Sequence, residues 1–217
     1  MGRQRPPAAE ELLADLAEAG CPACRIARRS GDWVLGRLLG EANTDPDTRI
    51  RLREGGGVCP EHAQRAAEVT ERRGDGGPLA TLAGDLLGRV DDEAAAWAWR
   101  APPRLAGCQV CEAVAPRVDA YLDLLAESAA DSEIGQAARR PDRGVCSAHL
   151  RRGLRRRRSR TAAGRLAELH RQVAEPLRDE LEAYRRALRD PALDLDDRLV
   201  ASWRRAWAWA HGTAPPR

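Results

Sequence analysis

The cysteines of this chain occur in two matched sets, and this pattern constrains the fold more than any other feature. "CPAC" at 21–24 is followed by "CPEH" at 59–62, and "CQVC" at 108–111 is followed by "CSAH" at 146–149. Each member of the second set lies 87 positions after its counterpart in the first. All six cysteines are used, and a period of this length indicates a duplicated structural unit.

Apolar residues and glycines follow the same interval. Leu35 corresponds to Leu122, and the "GVC" of 57–59 corresponds to that of 144–146. We therefore predict repeats that pack as one globular unit, followed by a segment without a counterpart. The predicted divisions are a first repeat at 12–101, a second repeat at 102–188, and a C-terminal helix and tail at 189–217.

The periodicity inside the repeats is helical. Apolar residues recur every three or four positions in "CRIARRSGDWVLGRLLGEA" (24–42) and in "GRLAELHRQVAEPLRDELEAYRRAL" (164–188). In "DPDTRIRL", Asp45 and Pro46 are typical of the first residues of a helix, which predicts a short helix there. No segment has the sustained alternation of a β-strand.

The Cys-x-x-Cys and Cys-x-x-His motifs have the spacing of metal ligands. Three thiolates and one imidazole complete a tetrahedral Cys3His site of the kind that zinc adopts in structural roles. Pairing each motif with the next one along the chain predicts one site from Cys21, Cys24, Cys59 and His62, and another from Cys108, Cys111, Cys146 and His149. The predicted fold class is all-α, with two tandem helical-hairpin repeats, each braced by a Cys3His Zn²⁺ site, and a C-terminal helix.

Three other interpretations of the cysteines stay open. An iron–sulfur cluster also accepts mixed Cys and His ligands. The CPAC sequence is compatible with a thioredoxin-like redox pair at Cys21 and Cys24, although no βαβ pattern surrounds it. Buried cysteines without a ligand role are common, but such a role does not account for the matched positions of His62 and His149.

"RRGLRRRRSR" at 151–160 is the most basic stretch of the chain. One helical face rich in arginine predicts a binding site for nucleic acid or an acidic partner. The candidate residues are Arg151, Arg152, Arg155, Arg156 and Arg158. The alternative is a solvated helix face, since the corresponding stretch of the first repeat, "AQRAAEVTE", is not basic.

Composition and motifs limit the function classes. A net charge of +3 is too small to indicate nucleic acid binding by itself. No phosphate-binding Gly loop, GxSxG or HExxH motif occurs, so we expect neither an enzyme nor a small-molecule substrate. The N-terminal stretch lacks a signal peptide's apolar region, and no run has the length of a membrane span. We therefore expect a cytoplasmic protein with reduced cysteines and no membrane association.

The twin pattern of CPxC and CxxH resembles that of an uncharacterised family of prokaryotic proteins of similar length, although the second unit departs from it because "CQVC" lacks the proline. The resemblance covers roughly residues 15–212. It rests on the eight ligand positions, on "LLGEANTDPDTRIRLREGGGVCPEH" between the first ligands, and on "SWRRAWAWAHG" near the C-terminus. It implies the same twin metal-binding organisation and no particular activity.

Taken together, these patterns predict a zinc-binding helical scaffold or protein-interaction protein whose partner is another protein. The first alternative is a nucleic-acid-binding or regulatory protein that uses the basic stretch at 151–160. The second is a thiol redox or zinc sensor, in which oxidation of a thiolate releases the metal.

Overall fold

Helices make up nearly all of the regular structure of the protein, which we describe from a computed structural model. The described residues are 6–41, 44–97, 107–128, 132–140, 142–156, 159–190, 193 and 195–212, with 90–97 described as backbone only. Within these ranges there is no β-strand, and an isolated parallel bridge joins Gly20 to Arg143. The all-α prediction is confirmed. No described helix is both long and apolar enough to cross a membrane.

Helices of the two repeats begin at positions separated by the same interval as the cysteine motifs. Those in the described part of the chain are α1 (Pro7–Leu16), α2 (Pro22–Glu41), α3 (Pro46–Gly55), α4 (Pro60–Arg73), α5 (Gly77–Trp97), α6 (Gln109–Glu127), α7 (Glu133–Ala138), α8 (Ser147–Arg156), α9 (Arg160–Arg189) and α10 (Asp197–His211). Helices α6, α7 and α8 begin 87 positions after α2, α3 and α4, respectively. Helix α10 comes from the C-terminal segment, which has no counterpart in the first repeat.

The helices of the first repeat begin and end at residues suited to those positions. A proline is the first residue of α2, α3 and α4, where its missing N–H costs no hydrogen bond. Asp45 caps α3 by accepting hydrogen bonds from the backbone N–H groups of Asp47 and Thr48. The short helix predicted in "DPDTRIRL" is therefore present. Gly56 and Gly74 end α3 and α4 in the left-handed conformation.

The chain divides into two compact units whose limits differ from those of the repeats. The discontinuous unit comprises Met1–Ile26 and Val118–Arg217, and the continuous unit comprises Ala27–Arg117. Both divisions fall inside a helix. The first turn of α2 thus belongs to the unit that holds most of the second repeat, and the first half of α6 belongs to the unit that holds most of the first repeat.

The discontinuous unit is built around α9. Helices α8 and α10 pack against α9, α10 also contacts α8, and α1 packs against α7. Its fully buried apolar side chains include Leu12, Leu16, Tyr121, Leu122 and Leu166. This core is mainly aliphatic, in keeping with a sequence that contains no Phe and two Tyr.

The continuous unit packs α3 and α4 against α5. Its buried side chains include Leu35, Leu39, Leu52 and Val69. Arg49 of α3 donates two hydrogen bonds to Asp85 of α5, over 2.7 and 2.8 Å. These hydrogen bonds hold the pKa of Asp85 below its usual range.

Candidate metal centres

The eight predicted ligands lie in two clusters. Cluster 1 contains Cys21, Cys24, Cys146 and His149, and cluster 2 contains Cys59, His62, Cys108 and Cys111. Within each cluster the ligand atoms lie within 4.8 Å of one another. The prediction of two Cys3His clusters is confirmed, but the grouping inferred from sequence order was wrong. Each cluster takes its Cys-x-x-Cys from one repeat and its Cys-x-x-His from the other.

The contact of α4 with the middle of α2 shows why neighbouring motifs do not share a cluster. Gly31 lies against the His62 ring, where a β-carbon at position 31 would be 3.4 Å from Nε2. One residue later, Asp32 accepts hydrogen bonds from Arg65 of α4. Cys24 lies seven residues before Gly31, which is about 10 Å along a helix. Cys24 thus lies about two turns of α2 away from the residue that faces His62, and the cluster of His62 contains Cys108 and Cys111 instead.

The separations of the ligand atoms match those of a tetrahedral metal site. With metal–sulfur bonds of about 2.3 Å and metal–nitrogen bonds of about 2.0–2.1 Å, tetrahedral edges are about 3.8 Å for two sulfurs and about 3.6 Å for sulfur and nitrogen. In cluster 1, Cys24 Sγ lies 3.7 Å from Cys146 Sγ and 3.4 Å from His149 Nδ1. Such sulfur–sulfur distances are also too long for a disulfide bond.

Cluster 2 has the same dimensions. Cys59 Sγ lies 3.8 Å from Cys111 Sγ, and His62 Nδ1 lies 3.2, 3.5 and 3.4 Å from the sulfurs of Cys59, Cys108 and Cys111. Both clusters thus present three sulfurs and the Nδ1 atom of a histidine. All six cysteines are free, so every sulfur of the chain's cysteines is available as a ligand.

Helix starts position the ligands of cluster 1. Cys21 and Cys146 directly precede α2 and α8, and the other two ligands lie in the first turns of these helices. The N–H of Gly20 donates to the carbonyl of Asp142 over 2.8 Å, which places the two segments that lead into the cluster side by side. Arg143 strengthens this pairing, since its guanidinium donates to the carbonyl of Ala17 over 2.6 Å.

The C-terminal end of α10 covers cluster 1. Gly212, which ends α10 in the left-handed conformation, has its carbonyl oxygen 3.1 Å from Cys24 Sγ. A β-carbon at position 212 would lie 3.2 Å from Cys146 Sγ and 3.0 Å from the β-carbon of Ala148. Cys21 and Cys146 are only 7% and 1% exposed. The sequence patterns did not reveal this role of Gly212.

Cluster 2 is more open to solvent. Cys59, His62 and Cys108 are half-buried, and Cys111 is exposed. Cys59 and Cys108 directly precede α4 and α6, so this cluster is also formed at two helix starts. The two clusters therefore have the same ligand types and dimensions, but they differ in solvent access.

The titration behaviour of cluster 1 reflects the crowding of its sulfurs. Burial opposes ionisation of Cys21, but hydrogen bonds with Cys146, Cys24 and His149 hold its pKa well below the usual range. Hydrogen bonds with Cys146 and Cys21, together with burial, raise the pKa of Cys24. Burial lowers the pKa of His149, but hydrogen bonds to Cys146 and Cys21 outweigh it and raise that pKa to about 10. The protein groups alone thus favour ionisation at some thiols and oppose it at others.

The thiols of cluster 2 also have pKa values that are shifted in opposite directions. Burial opposes ionisation of Cys108, but backbone hydrogen bonds from Cys59 and Cys111 outweigh it and lower its pKa. Burial, followed by the hydrogen bond and charge of Cys108, raises the pKa of Cys111 to about 12. Burial also lowers the pKa of His62, which keeps its imidazole neutral and able to act as a ligand.

An ion pair lies next to each Cys-x-x-His motif at the same repeat positions. Arg65 follows His62 by three residues, and its Nε donates to Asp32 over 2.5 Å. At the positions 87 residues later, the Nε of Arg152 donates to Asp119 over 2.6 Å. Each pair fixes the helix that carries the histidine against the helix that begins at a Cys-x-x-Cys. The shared interval was the signal that could have identified these pairs from the sequence.

The glycine of each "GVC" segment makes room for the helix behind it. A β-carbon on Gly57 would lie 3.0 Å from the side chain of Leu86. A β-carbon on Gly144 would overlap the carbonyl oxygen of Leu169 and lie 3.2 Å from Val173. Leu86 and Val173 are themselves 87 positions apart, so the same contact supports the Cys-x-x-His motif in both repeats.

The arginines of the basic stretch mostly contact the protein itself. Arg152 and Arg156 both pair with the buried carboxylate of Asp119, and Arg151 donates to the carbonyl of Ala210 over 3.4 Å. Arg155 is exposed. Arg158 lies outside the described residues. These contacts give Arg152 and Arg156 a structural role, and nucleic acid binding by the stretch stays a prediction.

His170 supports the segment that leads into cluster 1. Its Nδ1 lies 2.8 Å from the carbonyl oxygen of Val145, the residue before Cys146, and its ring stacks on Trp209 of α10. This contact joins α9, α10 and the metal-binding segment.

Comparisons of the whole chain with protein-family models, curated proteins and solved structures found no match.

Proposed function

We propose that the protein is a zinc-binding helical scaffold in which two structural Cys3His sites hold the duplicated halves of the sequence together. The observation that carries the proposal is the exchange of motifs: each cluster combines the Cys-x-x-Cys of one repeat with the Cys-x-x-His of the other. A metal ion at either cluster would cross-link segments about 120 or 50 residues apart in sequence, as from Cys24 to Cys146 and from Cys59 to Cys111.

Zinc is the ion that the ligand set favours. Three thiolates and one imidazole fill the four positions of a tetrahedral ion, which leaves no open position for a substrate. In an iron–sulfur cluster, ligands attached to different iron atoms lie farther apart than ligands of one ion. All four ligand atoms of each cluster lie within 4.8 Å of one another, which favours a single ion over a polynuclear cluster.

A structural role is consistent with the energetics of a small aliphatic core. A structural zinc ion contributes on the order of 10 kcal/mol to folding, which is comparable to the whole net stability of a typical domain.

We propose a protein as the binding partner of this scaffold, since Trp203 and Trp207 of α10 are 47% and 67% exposed and tryptophan is enriched at protein interfaces.

Elemental analysis of the purified protein, combined with its visible absorption spectrum, tests the proposal. We expect two zinc ions per chain, one for each cluster, and no absorption in the visible region. Replacement of zinc by cobalt should give the intense thiolate-to-metal absorption of a tetrahedral site. Iron with visible absorption in the native protein, or no bound metal, would contradict the zinc proposal.

A further inference from the structure

The two clusters differ in a way that their shared ligand set does not require. Cluster 1 is closed by Gly212 at the end of α10, while cluster 2 contains the exposed Cys111. Helix α10 belongs to the C-terminal segment that has no counterpart in the first repeat. The duplicated sequence thus provides two equivalent sets of ligands, and the added segment covers one of them.

We propose that cluster 2 is a releasable zinc site, at which a hydroperoxide oxidises Cys111 and a disulfide between Cys111 and Cys59 then expels the ion, while cluster 1 retains its own. This inference rests on the zinc-binding function proposed above and adds a regulatory chemistry to one of the two sites. Cluster 2 is the site that is oxidised because it is the more accessible to solvent, and a peroxide must reach a thiolate in order to react with it.

The chemistry needs one hydroperoxide and one further thiolate. The Cys111 thiolate attacks the terminal oxygen of the peroxide, so that a sulfur–oxygen bond forms, the oxygen–oxygen bond breaks, and alkoxide or hydroxide leaves. This step oxidises the sulfur by two electrons and reduces the peroxide. The Cys59 thiolate then attacks the sulfur of the Cys111 sulfenic acid, so that a sulfur–sulfur bond forms, the sulfur–oxygen bond breaks, and hydroxide leaves and is protonated by the buffer.

The geometry of cluster 2 is suited to the second step. Cys59 Sγ and Cys111 Sγ lie 3.8 Å apart, so a disulfide bond of about 2.05 Å requires a local movement of about 2 Å. The disulfide removes two of the four ligands at once. His62 and Cys108 alone then remain, and a two-ligand site binds zinc far more weakly than a complete tetrahedral site. A dithiol reductant returns both thiolates and permits zinc to bind again.

The experiment uses the full-length protein loaded with zinc, whose metal content is first measured by elemental analysis. Hydrogen peroxide is added in limiting amount, and zinc release is followed with a chromogenic chelator. We expect one ion per chain to leave in a first phase about tenfold faster than the second. Differential alkylation and peptide mapping should find Cys111 in the first disulfide, and a dithiol with added zinc should restore the second ion.

Two results would overturn the inference. One is release of both ions at the same rate from protein that started with two. The other is oxidation of Cys21, Cys24 or Cys146 before Cys111. Absence of zinc in the starting protein would instead contradict the proposed function itself, so the failures of the two proposals are distinguishable.

Discussion

Gly31 of α2 faces the imidazole of His62 so closely that a β-carbon at position 31 would lie 3.4 Å from Nε2. This contact fixes the start of α4 beside the middle of α2. It leaves the Cys-x-x-Cys motif at the beginning of α2 about two turns away, or about 10 Å. The Cys-x-x-Cys of the other repeat completes the site at His62 instead.

A large side chain at position 31 should disrupt cluster 2. We expect Gly31→Leu to displace the His62 ring and to lower the zinc content from two ions to one. Gly31→Ala is the matched control: its β-carbon reaches only ordinary contact distance, and alanine in a helix is favoured over glycine by about 0.5–1 kcal/mol. Elemental analysis and thermal unfolding check both variants. Retention of two equally tight ions by Gly31→Leu would show that this contact does not position His62.

Substitutions of Gly212 and Gly74 distinguish the effect of backbone strain from the effect of contact with a metal cluster. Both end a helix with positive φ, 75° and 68°, but a β-carbon on Gly74 would meet no atom within 4 Å. Gly74→Ala should cost only the left-handed strain of about 1–2 kcal/mol. Gly212→Ala should have the same cost in backbone strain, and its β-carbon should also push the end of α10 away from Cys146. We expect faster transfer of zinc from cluster 1 to a chelator in Gly212→Ala alone, and equal transfer rates in both variants would argue against a covering role for α10.

The ion pair beside cluster 1 should contribute to stability, unlike an exposed arginine on the same helix. Arg152→Gln leaves the buried carboxylate of Asp119 with Arg156 as an ion-pair partner and should lower the free energy of unfolding by about 1 kcal/mol, after allowance for the partial exposure of the arginines. Arg155→Gln, at an exposed position, should change it by less than about 0.5 kcal/mol. Urea unfolding of the zinc-loaded proteins measures both, and equal effects would mean that the pair is not structural.

Removal of the metal should unfold much of the chain. Each structural zinc contributes on the order of 10 kcal/mol, which exceeds or matches the net stability of most domains. A strong chelator should therefore reduce the helical signal in far-ultraviolet circular dichroism, and added zinc should restore it. The same chelator already saturated with zinc is the control. Full helicity and an unchanged melting temperature after complete removal of the metal would contradict a structural role for the two sites.

Helix positions and ligand identities could be predicted from local sequence patterns. The 3.6-residue periodicity marked α2 and α9, and the Asp-Pro pair marked the start of α3. The paired motifs identified all eight residues of the clusters, because thiols and imidazoles that recur at the spacing of one helical turn are typical of metal ligands. These features depend on residues close together in the sequence.

The grouping of the ligands could not be predicted because it depends on tertiary packing. Sequence order favoured the closure of each hairpin on itself, since a shorter loop costs less entropy to close. The contact of Gly31 with His62 overrides this preference by setting the position of α4 along α2. The Asp32–Arg65 pair does not stand out within one repeat, because charged residues make up 32% of the chain. Its recurrence as Asp119 and Arg152, 87 positions later, is what distinguishes it.

Each metal ion should join the two repeats, and the double variant Cys21→Ser with Cys24→Ser tests this central claim most directly. The variant should lose one ion, and the measurement is the alkylation of its four remaining cysteines. We predict that Cys146 becomes reactive while Cys59, Cys108 and Cys111 stay protected by the remaining ion. If Cys59 becomes reactive and Cys146 stays protected, each repeat binds its own metal ion and the claim is wrong.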